Sequence, residues 1–137
     1  MAKLAPSDLA QVLSKLPVQN SENVIVGFEN SDDAGVFRLT DETALVQTLD
    51  FFTPVADDPF VYGQVAAINS LNDVYAMVGK RLSALSIVCT PQTGDGDVLG
   101  ESWQGGQWRR NAGGLVCAGG PAVGAGATLH ADATAAL

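Results

Sequence analysis

Basic residues are scarce in this chain. Seven Lys and Arg stand against fifteen Asp and Glu, a formal net charge of −8 over 137 residues. That balance argues against a binder of nucleic acid or of an anionic membrane surface, since both need clustered positive charge. No apolar run reaches the roughly 18 residues of a spanning helix, and the opening MAKLAPSDLAQVL lacks the apolar core of a secretion signal. A cytoplasmic protein is expected. His130 is the only histidine, so no nucleophile–His–acid set can be assembled. Cys89 and Cys117 lie far apart without a metal-ligand spacing, and a pair of reduced, buried thiols is expected. Gly119-Gly120 and Gly124 lack the Lys-Ser/Thr of a phosphate loop. There is no internal repeat. What remains is a chain 47% hydrophobic and only 16% charged, enough for one compact domain with a core.

The missing bases leave a gap. From Leu39 through Gly79 there is no Lys or Arg, yet the window holds Asp41, Glu42, Asp50, Asp57, Asp58 and Asp73. Its centre, Leu45 to Gly79, reads as a strand, a short acidic loop and a long helix. Val46 to Asp50 is strand-like and ends in a carboxylate. Pro59 suits a first helical turn and Asp57-Asp58 suit the N-terminus before it. The helix is predicted to run to about Met77 and stop near Gly79. Its Val61, Val65, Ala66, Ala67, Ile68, Leu71 and Val74 should pack on a sheet. Asn69 and Asp73 share one face, and a carboxylate there needs a partner. If Asp33, Asp50 and Asp73 converge, no ion pair can hold them. A divalent cation is then the natural counter-charge, bridging acid to phosphate if a phosphate chain is the ligand.

Elsewhere the pattern is ordinary until residue 100. A helix is predicted from Pro6 to Leu16, with Ser7 as a cap and Pro17 as its end. Lys3 precedes it and, on composition alone, reads as a solvated terminal lysine. Val24 to Phe28 reads as a short buried strand. Asp32 and Asp33 follow in a polar turn, where paired carboxylates are either solvated or ligands for a hard cation. Val36 to Leu39 and Arg81 to Thr90 read as strands, and Asp97-Val98-Leu99 begins a helix. Then the character changes. Residues 102–137 hold 17 Gly or Ala in 36 positions, both tryptophans, the Arg109-Arg110 pair and no acid before Asp132. Hydrophobic periodicity there is poor.

The stretch QTLDFFTPVADDPFVYGQVAAINSLNDVYAMVGK, with SDDAGVF upstream, resembles selenophosphate synthetase (selenide, water dikinase) over about residues 2–100. The bare DDA turn is shared with thiamine-phosphate kinase and aminoimidazole ribonucleotide synthetase. DFFTP and DDPF before the N-S-x-x-D-V-Y-A-M helix point to selenophosphate synthetase. The resemblance implies an α+β fold, the N-terminal ATP-binding domain of the aminoimidazole ribonucleotide synthetase-like superfamily. Its sheet carries helices on one face and pairs with a second subunit. It implies an ATP-dependent phosphotransferase that makes selenophosphate, AMP and phosphate from ATP, selenide and water, with Mg²⁺ as cofactor. By this likeness Asp33 and Asp73 match metal ligands, and Asp50 matches an acid at the nucleotide–metal site. Asn30, Ser31 and Asp32 match the turn that contacts nucleotide. Lys3 matches the catalytic, nucleotide-binding lysine.

Departures from the family pattern shape the remaining expectations. The family's reactive Cys or selenocysteine falls just before Met1, which an internal start after a UGA codon would explain. Val78 and Arg81 stand where Gly and Pro are expected. Ala118-Gly119-Gly120-Pro121 stands where the family has a Gly-Gly-His-Ser nucleotide loop, and a C-terminal domain is missing. The expectation is therefore a partial ATP- and metal-binding domain over residues 1–100 and an atypical Gly/Ala-rich tail over 101–137, read in a shifted frame. Such a chain is expected to be marginally stable and inactive alone. The alternatives are another ATP-dependent kinase or synthetase of the same superfamily, or a non-catalytic truncated remnant.

Overall fold

The computed structural model describes residues 6–17, 21–27, 32–91, 93–120, 122–125 and 129–136. The elements run α1 (Pro6–Leu13), β1 (Val24–Val26), β2 (Gly35–Arg38), β3 (Ala44–Phe52), α2 (Pro59–Ala76), β4 (Arg81–Pro91), α3 (Gly96–Ala112), β5 (Val116–Gly119), β6 (Ala122–Ala125) and β7 (Leu129–Ala136). No helix among the described residues is long and apolar enough to cross a membrane. α1 is shorter than predicted. Beyond Leu13 the chain tightens into three-residue turns, with Lys15 N–H on Val12 O at 3.2 Å and Leu16 N–H on Leu13 O at 3.0 Å.

α2 starts and stops on local chemistry. The Asp58 carboxylate accepts from the Val61 N–H at 3.1 Å, and Pro59 takes the first turn, where a missing N–H has no cost. At the other end Gly79 N–H reaches Val74 O and Val78 N–H reaches Tyr75 O, both at 2.9 Å. That pair closes the helix in a Schellman turn. The turn needs a left-handed residue, and Val78 supplies it with φ 59°.

The strands form one sheet in the order β1-β2-β3-β7-β4-β5, with β6 also on β4. β4 pairs in parallel with β5 and β6 along the same edge, and antiparallel with β7. β5 and β6 are separated at Gly119-Gly120, with φ 128° and 156°. Period-2 alternation decides the faces. Val46, Ala84, Ser86 and Val88 are buried beneath the helices, with Ala66, Ala67, Leu71 and Val74 of α2 above them. The opposite face is open: Phe37, Leu49, Phe51 and Leu85 are 39%, 54%, 50% and 50% exposed. This is the predicted α+β arrangement with helices on one face.

Two expectations change. β1 is not buried: Val24 and Ile25 are 40% and 50% exposed, because β1 ends the sheet and pairs only with β2. The free thiols of Cys89 and Cys117 are half-buried, each on a strand rather than in the core. The described chain is continuous at residue 100. α3 is one helix across that point, capped by the Asp95 carboxylate, which accepts from Asp97 N–H at 2.9 Å. β7 lies hydrogen-bonded between β3 and β4 in the middle of the sheet. Apolar periodicity missed α3 because glycine, not leucine, sets its packing. A Cβ on Gly63 would collide with the Ser102 carbonyl, and one on Gly105 with the Phe60 carbonyl. The two helix backbones touch there, an approach that only glycine permits.

Candidate functional site

β3 presents Val46, Thr48 and Asp50 to α2 by alternation. α2 answers with Asn69 and Asp73, one turn apart on its lower face. The two rows meet. Thr48 Oγ1 donates to Asp73 Oδ2 at 2.8 Å, and Asn69 Nδ2 donates to Asp50 Oδ2 at 2.5 Å. The turn before β2 closes the third side, with the Asp33 carbonyl oxygen 3.3 Å from Thr48 Oγ1. Burial raises the Asp73 carboxyl above its ordinary 3.8, and the neighbouring Asp50 and Asp33 charges raise it further. The Thr48 hydrogen bond lowers it, but not enough to compensate. Asp50 and Asp33 thus both lie within electrostatic reach of Asp73, with no basic group acting on Asp73 among the described residues. Asp32 is exposed in the same turn as Asp33. Lys3, Asn30 and Ser31 lie outside the described residues.

The donors are hard carboxylate oxygens under mutual repulsion, a set that suits Mg²⁺. Among the described residues no three Asp, Glu, His or Cys side chains are grouped tightly enough to enclose a metal ion. Mg²⁺ does not require such a cage. It usually keeps several waters and takes one or two carboxylates together with substrate phosphate.

A cavity of about 270 Å³ opens on the same face of the sheet, lined by Ser86, Trp103, Gln107, Arg110, Gly119 and Gly120 among others. Gly120 sits against the Ser86 backbone, where any Cβ would collide with the Ser86 carbonyl. Asp50 and Ser86 both register with Asp132 of β7, one from each side. They are therefore two strand spacings apart, roughly 10 Å. Sequence reasoning placed Asn69 on the face of Asp73 without giving it a partner. It passed over Thr48, although Thr48 lies two residues before Asp50 and so on the same face. It also passed over Trp103, Gln107 and Arg110, whose i, i+4, i+7 spacing puts them on one side of α3.

Residues 31–135 match the family described as AIR synthase related protein, N-terminal domain. The chain is 52% identical over 122 residues to selenide, water dikinase 2 of Peptoclostridium acidaminophilum. It is 54% identical over 123 residues to selenide, water dikinase of Clostridioides difficile. Each alignment covers 89% of this chain and 35% of the relative, so the chain spans about a third of the length of these curated relatives. The likeness therefore runs past residue 100 into the Gly/Ala-rich segment, further than the motifs alone indicated. In backbone shape the chain is similar to thiamine monophosphate kinase from Aquifex aeolicus, with a TM-score of 0.67 and 16% identity. That superposition covers 75% of this chain and 36% of the kinase. The breadth of the family match, from the acidic turn through β7, settles the grouping: the chain belongs to the AIR synthase-related family and carries its N-terminal domain.

Proposed function

We propose that this chain is the ATP- and metal-binding N-terminal part of a selenophosphate synthetase, which turns ATP, selenide and water into selenophosphate, AMP and phosphate in the cytoplasm. The observation that carries the reading is the approach of Asp50 to Asp73 beneath α2, each bonded by a neutral donor, Asn69 and Thr48, with the Asp33 charge also acting on Asp73. Relatives about half identical in sequence supply the reaction. Bound Mg²⁺ would supply Lewis-acid neutralisation of the nucleotide phosphates. One or two of Asp33, Asp50 and Asp73 would hold it directly, with water and phosphate completing its shell, and Asn69 aims the Asp50 oxygen. In the same reading Asn30, Ser31 and Asp32 form the nucleotide turn, and Lys3 is the catalytic, nucleotide-binding lysine. The double glycine at 119–120 keeps a backbone open to the cavity near Arg110, although Ala118-Gly119-Gly120-Pro121 departs from the family's Gly-Gly-His-Ser.

The direct test is calorimetry of a non-hydrolysable ATP analogue with and without Mg²⁺. Binding should require Mg²⁺, and Asp73→Asn should abolish that requirement along with the affinity. Asp73→Asn should also raise the melting temperature of the metal-free chain, because it removes a charge opposed by burial and by two neighbouring carboxylates. Unchanged Mg²⁺-dependent binding in this variant would sink the assignment.

At about a third of its relatives' length, the chain alone is proposed to be inactive, and selenide-dependent AMP release belongs to the whole protein. That assay also separates the alternative reading, another ATP-dependent kinase or synthetase of the same superfamily. The open apolar face of Leu49, Phe51 and Leu85 supports a homodimer through the sheet. Sedimentation showing a stable monomer at micromolar concentration would count against it.

A further inference from the structure

The last turns of α2 and α3 meet around a polar cavity of about 270 Å³. Ile68, Leu71, Asn72 and Tyr75 recur at the helical period along α2 and supply one wall. Arg109, in the last turn of α3, and Arg81, the first residue of β4, line it as well. No Asp or Glu stands among the described residues that line it, in a chain where acids outnumber bases fifteen to seven. Arg81 is held in place. Its Nη1 donates to the Tyr75 hydroxyl oxygen at 2.5 Å, and the guanidinium lies against Gly113, where an added Cβ would come within 3.2 Å of Nη1. That bond uses one of five guanidinium N–H groups and leaves Tyr75 its own O–H proton to donate.

Arginines at such a place also offset the negative ends of the two helices, about half a charge each. The helix ends thus account for about one of the two positive charges, and about one is left. Two planar guanidinium forks, the Asn72 amide and the Tyr75 hydroxyl offer more donors than the two oxygens of a carboxylate take. Phosphate has more acceptors, and its geometry matches a guanidinium fork. The cavity is slightly smaller than the roughly 300 Å³ at which drug-sized pockets begin, so its ligand is small. We propose that this pocket binds a phosphate group, free or on a small monoester, apart from the acidic residues beneath α2. Arg81 stands where the family pattern has Pro, which makes the site a feature of this chain. The proposal does not depend on the ATP and metal reading.

The test is titration of the 137-residue chain with inorganic phosphate in EDTA at constant ionic strength, read on the arginine Nε–H signals in ¹H–¹⁵N NMR spectra. The Arg81 and Arg109 signals should shift together and saturate. Arg81→Met and Arg109→Met should each weaken binding about tenfold or more, through loss of charge-assisted hydrogen bonds. Tyr75→Phe should weaken it by less. Arg81→Lys keeps the charge and loses the fork, so it should also weaken binding, and it stands in if methionine disturbs folding. Asp73→Asn should leave the phosphate shifts as they are. Phenyl phosphate separates the two sources of the group: tighter binding than inorganic phosphate assigns the site to a monoester lying along Ile68 and Leu71, weaker binding to the free ion. Shifts that do not saturate, or that chloride of equal ionic strength reproduces, overturn the proposal and leave the arginines as neutralisers of the helix ends. Parent-like phosphate binding in both methionine variants overturns it, as does binding lost in Asp73→Asn, which would move the phosphate to the acidic site.

Discussion

The two helices that cover the sheet are built on different principles. α2 follows the familiar pattern: an Asp cap, a Pro in the first turn, small and apolar residues facing the sheet, and a Schellman turn at the end. α3 has an Asp cap too, but its sequence GDVLGESWQGGQWRRNA carries little apolar periodicity. It stays on the molecule through close backbone contact, Gly105 against Phe60 and Gly63 against Ser102. α2 contributes apolar area to the core, while α3 contributes proximity. Tight backbone packing gains dispersion contacts that side-chain area does not count.

The sharpest way to break this comparison is to give α3 a side chain at the seam. Gly105→Ala should destabilise the chain by about 3 kcal/mol, at the upper end for overpacking, because the neighbour is backbone and cannot rotate away. Gly100→Ala lies on the same helix with nothing within 4 Å of the added Cβ. It should stabilise by about 0.5–1 kcal/mol through helix propensity. Urea unfolding of the two variants reads both signs in one experiment. If both alanines stabilise, α3 is not seated at Gly105.

The same contrast explains what was legible in the sequence. α2, β3 and β4 announce themselves, since their apolar residues recur at the period of the element and their ends carry caps. The acidic stretch was also legible, because Asp50 and Asp73 stand out where there are no bases, and β3 and α2 bring them close enough for the Asp50 charge to act on Asp73. Residues after 100 were harder to read. Period tests count buried apolar side chains, and Gly63, Gly105 and Gly106 have none to count. β7 was missed for a related reason. Its run Leu129–Ala136 is alanine-rich, and it is a strand because β3 and β4 both lack a partner where it lies. Thr48 escaped notice because a threonine in a strand is unremarkable until the helix above it is known.

A second set of changes compares the helix starts. Asp58→Ala and Asp95→Ala remove the only side-chain caps seen at α2 and α3. Each should cost about 1 kcal/mol. The two helices differ in the residues they carry to the site. α2 holds Asn69 and Asp73, so fraying from Asp58 should also weaken Mg²⁺ binding slightly, whereas Asp95→Ala should lower the melting temperature and leave Mg²⁺ affinity unchanged. Equal effects of the two variants on Mg²⁺ binding would mean that the site does not depend on α2 in particular.

The smallest expected effect lies at the end of α2. Val78 is 91% exposed and sits at φ 59° in the Schellman turn. A β-branched residue in the left-handed region costs about 1–2 kcal/mol. Being exposed, Val78 recovers almost nothing from burial. Val78→Gly removes that strain but gives the unfolded chain more freedom, which returns about 0.5–1 kcal/mol. The net expectation is a gain of about 0.5–1 kcal/mol, a rise of roughly 2–4 °C in melting temperature for a chain of this size. Val78→Ala separates the two contributions, because alanine keeps a Cβ but loses the branch, and it should fall between Val and Gly. The order Gly above Ala above Val supports a left-handed residue closing the helix. If glycine ranks below valine, residue 78 does not occupy that conformation, and α2 ends differently from the turn that Gly79 and Val74 form here.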